Sequence, residues 1–227
     1  MKPATGFAIT GTVPWGRDAA EYAAFFALGE REAGWRILDC GGGPSSFTAE
    51  TIRRGGDAVA VDPLYGRPAA EIASRVDEAA GVMRDGLAAT HGRFVWDLYG
   101  SIEALVARRL ATMRAFLADY GPGRYVGGAL PSLPFADSTF DLVLCSHLLF
   151  LYDHALDLDF HERALAEMLR LGREVRVFPL LDLGGGPSRL VEPATRRLAD
   201  RGIEAATEPV AYEFQKGGNR MLRLRRA

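Results

Sequence analysis

Apolar residues along this chain fall into two alternating patterns. One is a set of short, nearly unbroken runs: Trp35 to Asp39, Asp57 to Asp62, Phe140 to Cys145 and Arg173 to Phe178. Turn-forming residues bound each run: Gly41-Gly42-Gly43 follows the first, Pro63 the second and Pro179 the fourth, and Asp137-Ser138 precedes the third. Short apolar runs between such residues fit inner strands of a parallel sheet, buried on both faces. The second pattern has helical spacing. Residues 45–54 follow Pro44, which suits a first helical turn. In Phe160 to Leu171 the apolar side chains of Leu165, Met168 and Leu169 recur at that spacing, and Gly172 follows as a C-cap. Residues 189–201 end in the same way before Gly202. Strand and helix alternate, which predicts a doubly wound α/β sheet with right-handed crossovers and helices on both faces.

Two stretches depart from simple alternation. Ala205 to Phe214 and Asn219 to Leu224 read as strands separated only by Gln215-Lys216-Gly217-Gly218. So short a connection requires an antiparallel hairpin, because parallel neighbours need a long crossover. The arginines at 220, 223, 225 and 226 there either blunt a sheet edge or form a local nucleic-acid contact. The segment from Gly66 to Gly121 separates the second strand from a third candidate at 124–127, and it has room for two helices, 69–89 and 102–120. One helix suffices for a crossover. The other marks an insertion, either a wall of a substrate pocket or a structural appendage.

Composition adds limits rather than detail. The 227 residues are 48% hydrophobic and 25% charged with a net charge of -2, the profile of one globular domain over 1–227 without a broad nucleic-acid footprint. No run is long enough to span a membrane, and Met1 to Gly11 lacks the basic-then-apolar pattern of a signal peptide, so a cytoplasmic protein is expected. Cys40 and Cys145 lie in apolar runs without CxxC spacing, which predicts two buried thiols and neither disulfide nor zinc.

The chemistry concentrates at strand ends. Asp39-Cys40-Gly41-Gly42-Gly43-Pro44-Ser45 joins the first strand to its helix. Glycines there permit a tight turn and close approach of a ligand to the backbone. Asp62 closes the next strand, 23 positions after Asp39, where a carboxylate can accept both hydrogen bonds of a ribose diol. A dinucleotide fingerprint would place glycine where Ser46 stands. The pattern is instead Asp-x-Gly-x-Gly, whose acid repels a pyrophosphate and attracts an ammonium.

Residues 37–44 resemble motif I of class I S-adenosylmethionine-dependent methyltransferases, and Val59-Ala60-Val61-Asp62 resembles the motif II acid. Leu133-Pro134-Phe135 with Phe140-Asp141-Leu142-Val143 is similar to the signature of the methyltransferase-11-like group. The resemblance implies a Rossmann-like sheet of seven strands in the order 3-2-1-4-5-7-6, strand 7 antiparallel, with the helical insertion at 66–121 between strands 2 and 3. It implies S-adenosyl-L-methionine as cofactor. Asp39, Gly41 and Gly43 would surround its methionine portion, Asp62 its ribose, and Pro63 and Leu64 its adenine. Ser146 and His147 would approach the sulfonium and the acceptor. The acid often found near the end of strand 3 is missing, so backbone groups of Ala129 and Leu130 would hold the adenine. Arg17, in a segment that closes over the cofactor in related enzymes, would pair with its carboxylate or else be a surface charge.

His147 is the candidate general base, if the acceptor must lose a proton, with packing or capping as the alternative. His154, Asp157, Asp159, His161 and Glu162 are residues of metal-binding type, yet Asp157 and Asp159 equally suit the start of a helix, and no metal is expected. Trp15, Trp96, Tyr99, Phe150 and Tyr152 are either acceptor-pocket aromatics or ordinary core. No Asn-Pro-Pro-Tyr motif follows the fourth strand, and no Pro-Cys nucleophile is present. The leading expectation is a small-molecule methyltransferase. RNA or protein methylation and non-catalytic cofactor binding are the alternatives, while an NAD-type oxidoreductase is disfavoured by Asp39 and Ser46.

Overall fold

The computed structural model describes residues 15–226, apart from the side chains at positions 77 and 79. All the predicted strands join one sheet. In chain order the strands are β1 (Arg36–Cys40), β2 (Asp57–Val61), β3 (Tyr125–Val126), β4 (Phe140–Ser146), β5 (Gly172–Phe178), β6 (Ile203–Pro209) and β7 (Arg220–Arg226). They lie in the order β3-β2-β1-β4-β5-β7-β6. The first five are parallel, and β7 runs antiparallel to both β5 and β6. This is the class I methyltransferase topology that the motifs imply.

The helices are α1 (Ala19–Phe26), α2 (Phe47–Arg53), α3 (Ala69–Ala89), α4 (Ile102–Asp119), α5 (Leu158–Leu171) and α6 (Val191–Ala199). Alternation along each strand sends neighbouring side chains to opposite faces. Leu38, Val59, Val143, Cys145, Val175 and Val177 pack on one side with Leu165 and Met168 of α5 and Leu198 of α6. Ile37, Ala58, Leu142, Leu144 and Phe178 pack on the other with Phe25 of α1, Phe47 of α2 and Met113 of α4. The inner strands are mostly apolar because both faces are covered, and the buried charges of β5, Glu174 and Arg176, pair with each other. Cys40 and Cys145 lie opposite each other in neighbouring strands as buried free thiols.

Several local expectations need correction. The last hairpin is shorter than the apolar pattern suggested. β6 stops at Pro209, Val210 N–H makes a last cross-hairpin bond to Asn219 O, and the chain then leaves the ladder as Tyr212 and Phe214 turn into the core beside Phe25 and Tyr99. The C-terminal arginines do not blunt an edge. β7 lies inside the sheet, where Arg225 and Arg223 reach the buried Glu174 and Arg223 also pairs with Glu208. Gly172 does follow α5, but its backbone is extended and begins β5 without a loop. A Cβ there would lie 2.7 Å from Val143 Cγ2, so close strand packing accounts for the glycine.

The insertion is two long helices, α3 and α4, packed on each other. Among the described residues no helix is long and apolar enough to cross a membrane.

Candidate active site

The loop from β1 to α2 and the tip of β2 form one hydrogen-bonded unit. Gly41 N–H donates to Val61 O at 2.8 Å. Asp62 accepts from Gly43 N–H at 3.1 Å through one oxygen and from Leu64 N–H at 2.8 Å through the other. Its carboxylate thus caps the short 3-10 turn at 63–66 while facing a cavity. Burial raises its pKa. Tyr65 reaches back, its hydroxyl donating to Gly43 O at 2.6 Å.

All three loop glycines are adjacent to the site, for different reasons. Gly41 and Gly43 have φ of 72° and 52°, the left-handed region that glycine adopts freely. Gly42, which the motif reading left out, is constrained by space: a Cβ would stand 2.6 Å from Asp39 Oδ2 and 2.8 Å from the Tyr65 hydroxyl.

Asp39 is fully buried, and it does not line the cavity. It lies behind Gly42, with the Tyr22 hydroxyl 3.0 Å from each of its oxygens. Burial pushes its pKa up to about 7; Asp62 adds to the rise and Tyr22 opposes it. Tyr22, on α1, had no motif to reveal it.

Arg17 is not a surface charge. It is 9% exposed and lines the cavity. Its carbonyl accepts from Ser46 N–H and Ser45 Oγ, which pins it to the glycine loop. One guanidinium nitrogen donates to Trp15 O at 2.9 Å, and Nε has no partner. It forms no ion pair with any described carboxylate. Burial and the nearby Arg109 lower its pKa.

Across the cavity, at the end of β4, Ser146 Oγ and His147 Nδ1 are 2.8 Å apart. His147 has φ of 51°, an uncommon value for a residue other than glycine. Its N–H donates to Phe178 O, and its ring stands edge-on to Phe25 and Phe178. Burial, then Arg17 and Arg109, hold its pKa well below the ordinary 6.5, so the ring is neutral.

These groups open on a cavity of about 1,230 Å³ at the carboxyl ends of the strands, larger than the roughly 300–1,000 Å³ of common ligand pockets. Pro63, Leu64, Ala129, Leu130 and Ser146 line it with Gly41, Gly43 and Asp62. Of the aromatics considered, Trp15 and Tyr152 line it, whereas Trp96, Tyr99 and Phe150 do not. Trp96 stacks on His91, Tyr99 is hydrogen-bonded in the core and Phe150 is fully buried against His161. Phe94, Phe178, Tyr212 and Phe214 wall the cavity instead. Of the acidic and histidine residues near α5, His154 lines the cavity, and the others are engaged within the protein. Asp157 caps the helix, His161 Nδ1 bonds to Asp157 O, and Asp159 and Glu162 pair with Arg197.

A buried ionic cluster supports this wall. Arg109 of α4, fully buried, makes a two-pronged contact with Glu21 of α1 at 2.5 and 2.7 Å. Tyr99 bonds to Glu21 and lies 2.8 Å from the hydroxyl of cavity-lining Tyr212. Burial works against ionised Glu21, but Arg109 outweighs it and holds its pKa near 2.

Known proteins resemble this chain at three levels. A family model described as a methyltransferase domain matches residues 87–174. An uncharacterized protein of Methanocaldococcus jannaschii is 32% identical over 218 residues, 95% of this chain and 96% of that one. Magnesium protoporphyrin IX methyltransferase from Synechocystis PCC 6803, solved with bound SAH, has a TM-score of 0.50 at 15% identity, over 92% of this chain and 81% of that one. That likeness shows a shared fold.

Proposed function

The chain belongs to the S-adenosylmethionine-dependent methyltransferase family, and from that premise we propose that it transfers the cofactor's methyl group to a small-molecule acceptor. The observation that carries this reading is the buried Arg17 guanidinium, its Nε without a partner and with no ion pair among the described residues, at the head of a cavity whose floor is Gly41 to Gly43 and Asp62.

The residues present fit the cofactor. Arg17 offers an orphaned donor to its carboxylate, a charge-assisted pairing. Asp62 offers two oxygens to the ribose hydroxyls, and Asp39 places negative charge behind the glycine loop for the ammonium. Pro63, Leu64, Ala129 and Leu130 supply an apolar slot for the adenine. When bound, the cofactor supplies an electrophilic methyl group on a positively charged sulfur.

The chain's own share is positioning, exclusion of water and proton handling. His147 and Ser146 stand where an acceptor would meet the cofactor. In the tautomer whose Nδ1–H donates to Ser146, Nε2 keeps its lone pair and can accept a proton from a hydroxyl or amine acceptor. Phe25 and Phe178 hold the imidazole edge-on, and burial with Arg17 and Arg109 keeps it neutral.

Calorimetric titration tests the reading. S-adenosylmethionine and S-adenosylhomocysteine should bind while NADH does not, and Arg17→Gln should weaken cofactor binding at least tenfold. Undiminished binding to the variant, or equal binding of NADH, removes the proposal's basis.

A further inference from the structure

The charges lining the cavity point to the chemistry of the acceptor. Its wall carries four arginines (Arg17, Arg67, Arg75 and Arg93) against two carboxylates, Asp62 and Glu78. The excess is not placed evenly. Arg67 and Arg75 share Glu71 on α3, and Arg17 and Asp62 sit at the glycine loop. Arg93 stands apart. It is half-buried, and it forms no ion pair with any described residue; one of its nitrogens donates to Leu183 O. On the cavity wall it has Phe94, Phe214, Leu183 and Gln215 for neighbours, while Lys216 donates to the carbonyls of Arg93 and Gly92 and the loop of Asp182 packs against its guanidinium.

The cofactor makes this imbalance larger. Its ammonium and sulfonium outweigh its carboxylate, so it brings a net positive charge into a cavity already short of negative groups. Like charges in a partly desolvated space repel strongly. An acceptor bearing a negative charge would relieve that repulsion, and a guanidinium without a carboxylate is its natural counterpart. A single guanidinium suits a carboxylate better than a phosphate, whose dianion calls for several donors.

From Arg93 and the surrounding apolar wall, we infer that the acceptor is a small, mostly apolar molecule carrying a carboxylate, with that group held by Arg93 and the methylated atom turned toward His147. This rests on the methyltransferase reading and extends it to a substrate class. Specificity then arises far from the cofactor: a neutral analogue leaves the half-buried guanidinium without a counter-charge, and binds less tightly.

The test uses the full chain, first titrated with S-adenosylhomocysteine and then with 1-naphthoate or 1-naphthamide as probes. The carboxylate should bind at least tenfold more tightly than the carboxamide. Arg93→Gln should abolish that preference while leaving S-adenosylhomocysteine binding unchanged, and Arg93→Lys should retain part of it. The comparison of probes on the unaltered chain stands even if the variants fold poorly. Equal binding of the two probes, binding of neither, or a preference that survives Arg93→Gln overturns the assignment. Failure of S-adenosylhomocysteine to bind overturns the methyltransferase reading itself, so the two failures are distinguishable.

Discussion

The Tyr22 hydroxyl stands 3.0 Å from both carboxylate oxygens of Asp39, and this contact is part of the seal between the motif I acid and the cavity. The hydroxyl favours the charged carboxylate, whereas burial opposes it, and the balance leaves Asp39 with a pKa of about 7. That value exceeds the 3.8 of an ordinary aspartate, so between about 4 and about 7 the folded chain holds a proton that the unfolded chain has released. Asp39 therefore favours folding below this window, and its contribution is lost as pH rises through it. Melting curves of the unaltered chain and of Asp39→Asn should diverge across that interval, the variant showing the flatter profile. Tyr22→Phe should move the Asp39 midpoint upward.

Cofactor affinity should follow the opposite course. An ammonium beside the loop favours ionised Asp39, so S-adenosylmethionine should bind more tightly as pH rises from about 6 to about 8, and Asp39→Asn should lose most of that slope. Calorimetry at fixed ionic strength measures this directly.

Gly42→Ala should be more damaging than Gly43→Ala. Its new methyl carbon would meet Asp39 Oδ2 at 2.6 Å and the Tyr65 hydroxyl at 2.8 Å, neither of which is a free chain end. Overpacking of this kind costs about 1–3 kcal/mol, and cofactor binding should fall at least tenfold. Gly43→Ala, which meets nothing within 4 Å, should show only the cost of its left-handed backbone, about 1–2 kcal/mol. Urea denaturation and cofactor titration together separate the two.

His147→Asn tests the proton acceptor without disturbing the backbone, because asparagine tolerates the left-handed conformation. If the ring accepts the acceptor's proton, turnover should fall about 10²- to 10⁴-fold with cofactor binding retained. Since its pKa is held below 6.5, the unaltered enzyme should show no loss of rate from this group between pH 7 and 8. Unchanged turnover in the variant would reduce His147 to a packing residue.

Arg109→Met should unfold the chain more readily than any surface arginine substitution. It leaves Glu21, 2% exposed, without its guanidinium partner. Breaking a buried pair from one side costs about 3–5 kcal/mol. The double change Glu21→Leu with Arg109→Met should recover much of that loss, as chemical denaturation would show.

Local pattern carried much of the fold because its inner strands are continuous apolar runs and its helices are periodic. The two insertion helices were visible for another reason: the connection between the second and third strands is long enough to hold both. The strand ends, Asp62 and the left-handed glycines were also legible, since turns impose their own residue types. What escaped was held together over long sequence distances. Tyr22 meets Asp39 only because α1 crosses the sheet, and Tyr99 joins Glu21 and Tyr212 from a connection far from both. Trp96 and Phe150 were indistinguishable from pocket aromatics by composition, as burial direction is a tertiary property. Gly42 gave no sign either: the closeness of Asp39 and Tyr65 behind it is set by two different strands.

The Arg109–Glu21 contact also limits how this fold can be rearranged. One end belongs to the segment that distinguishes this chain from a plain alternation of strand and helix, and the other to the helix packed over the glycine turn. Excising residues 66–121 would strand a carboxylate in the interior and take away the neighbour of Tyr212. A graft of this segment onto a relative would have to bring Glu21 and Tyr212 along, so acceptor recognition in this chain cannot be exchanged as an independent module.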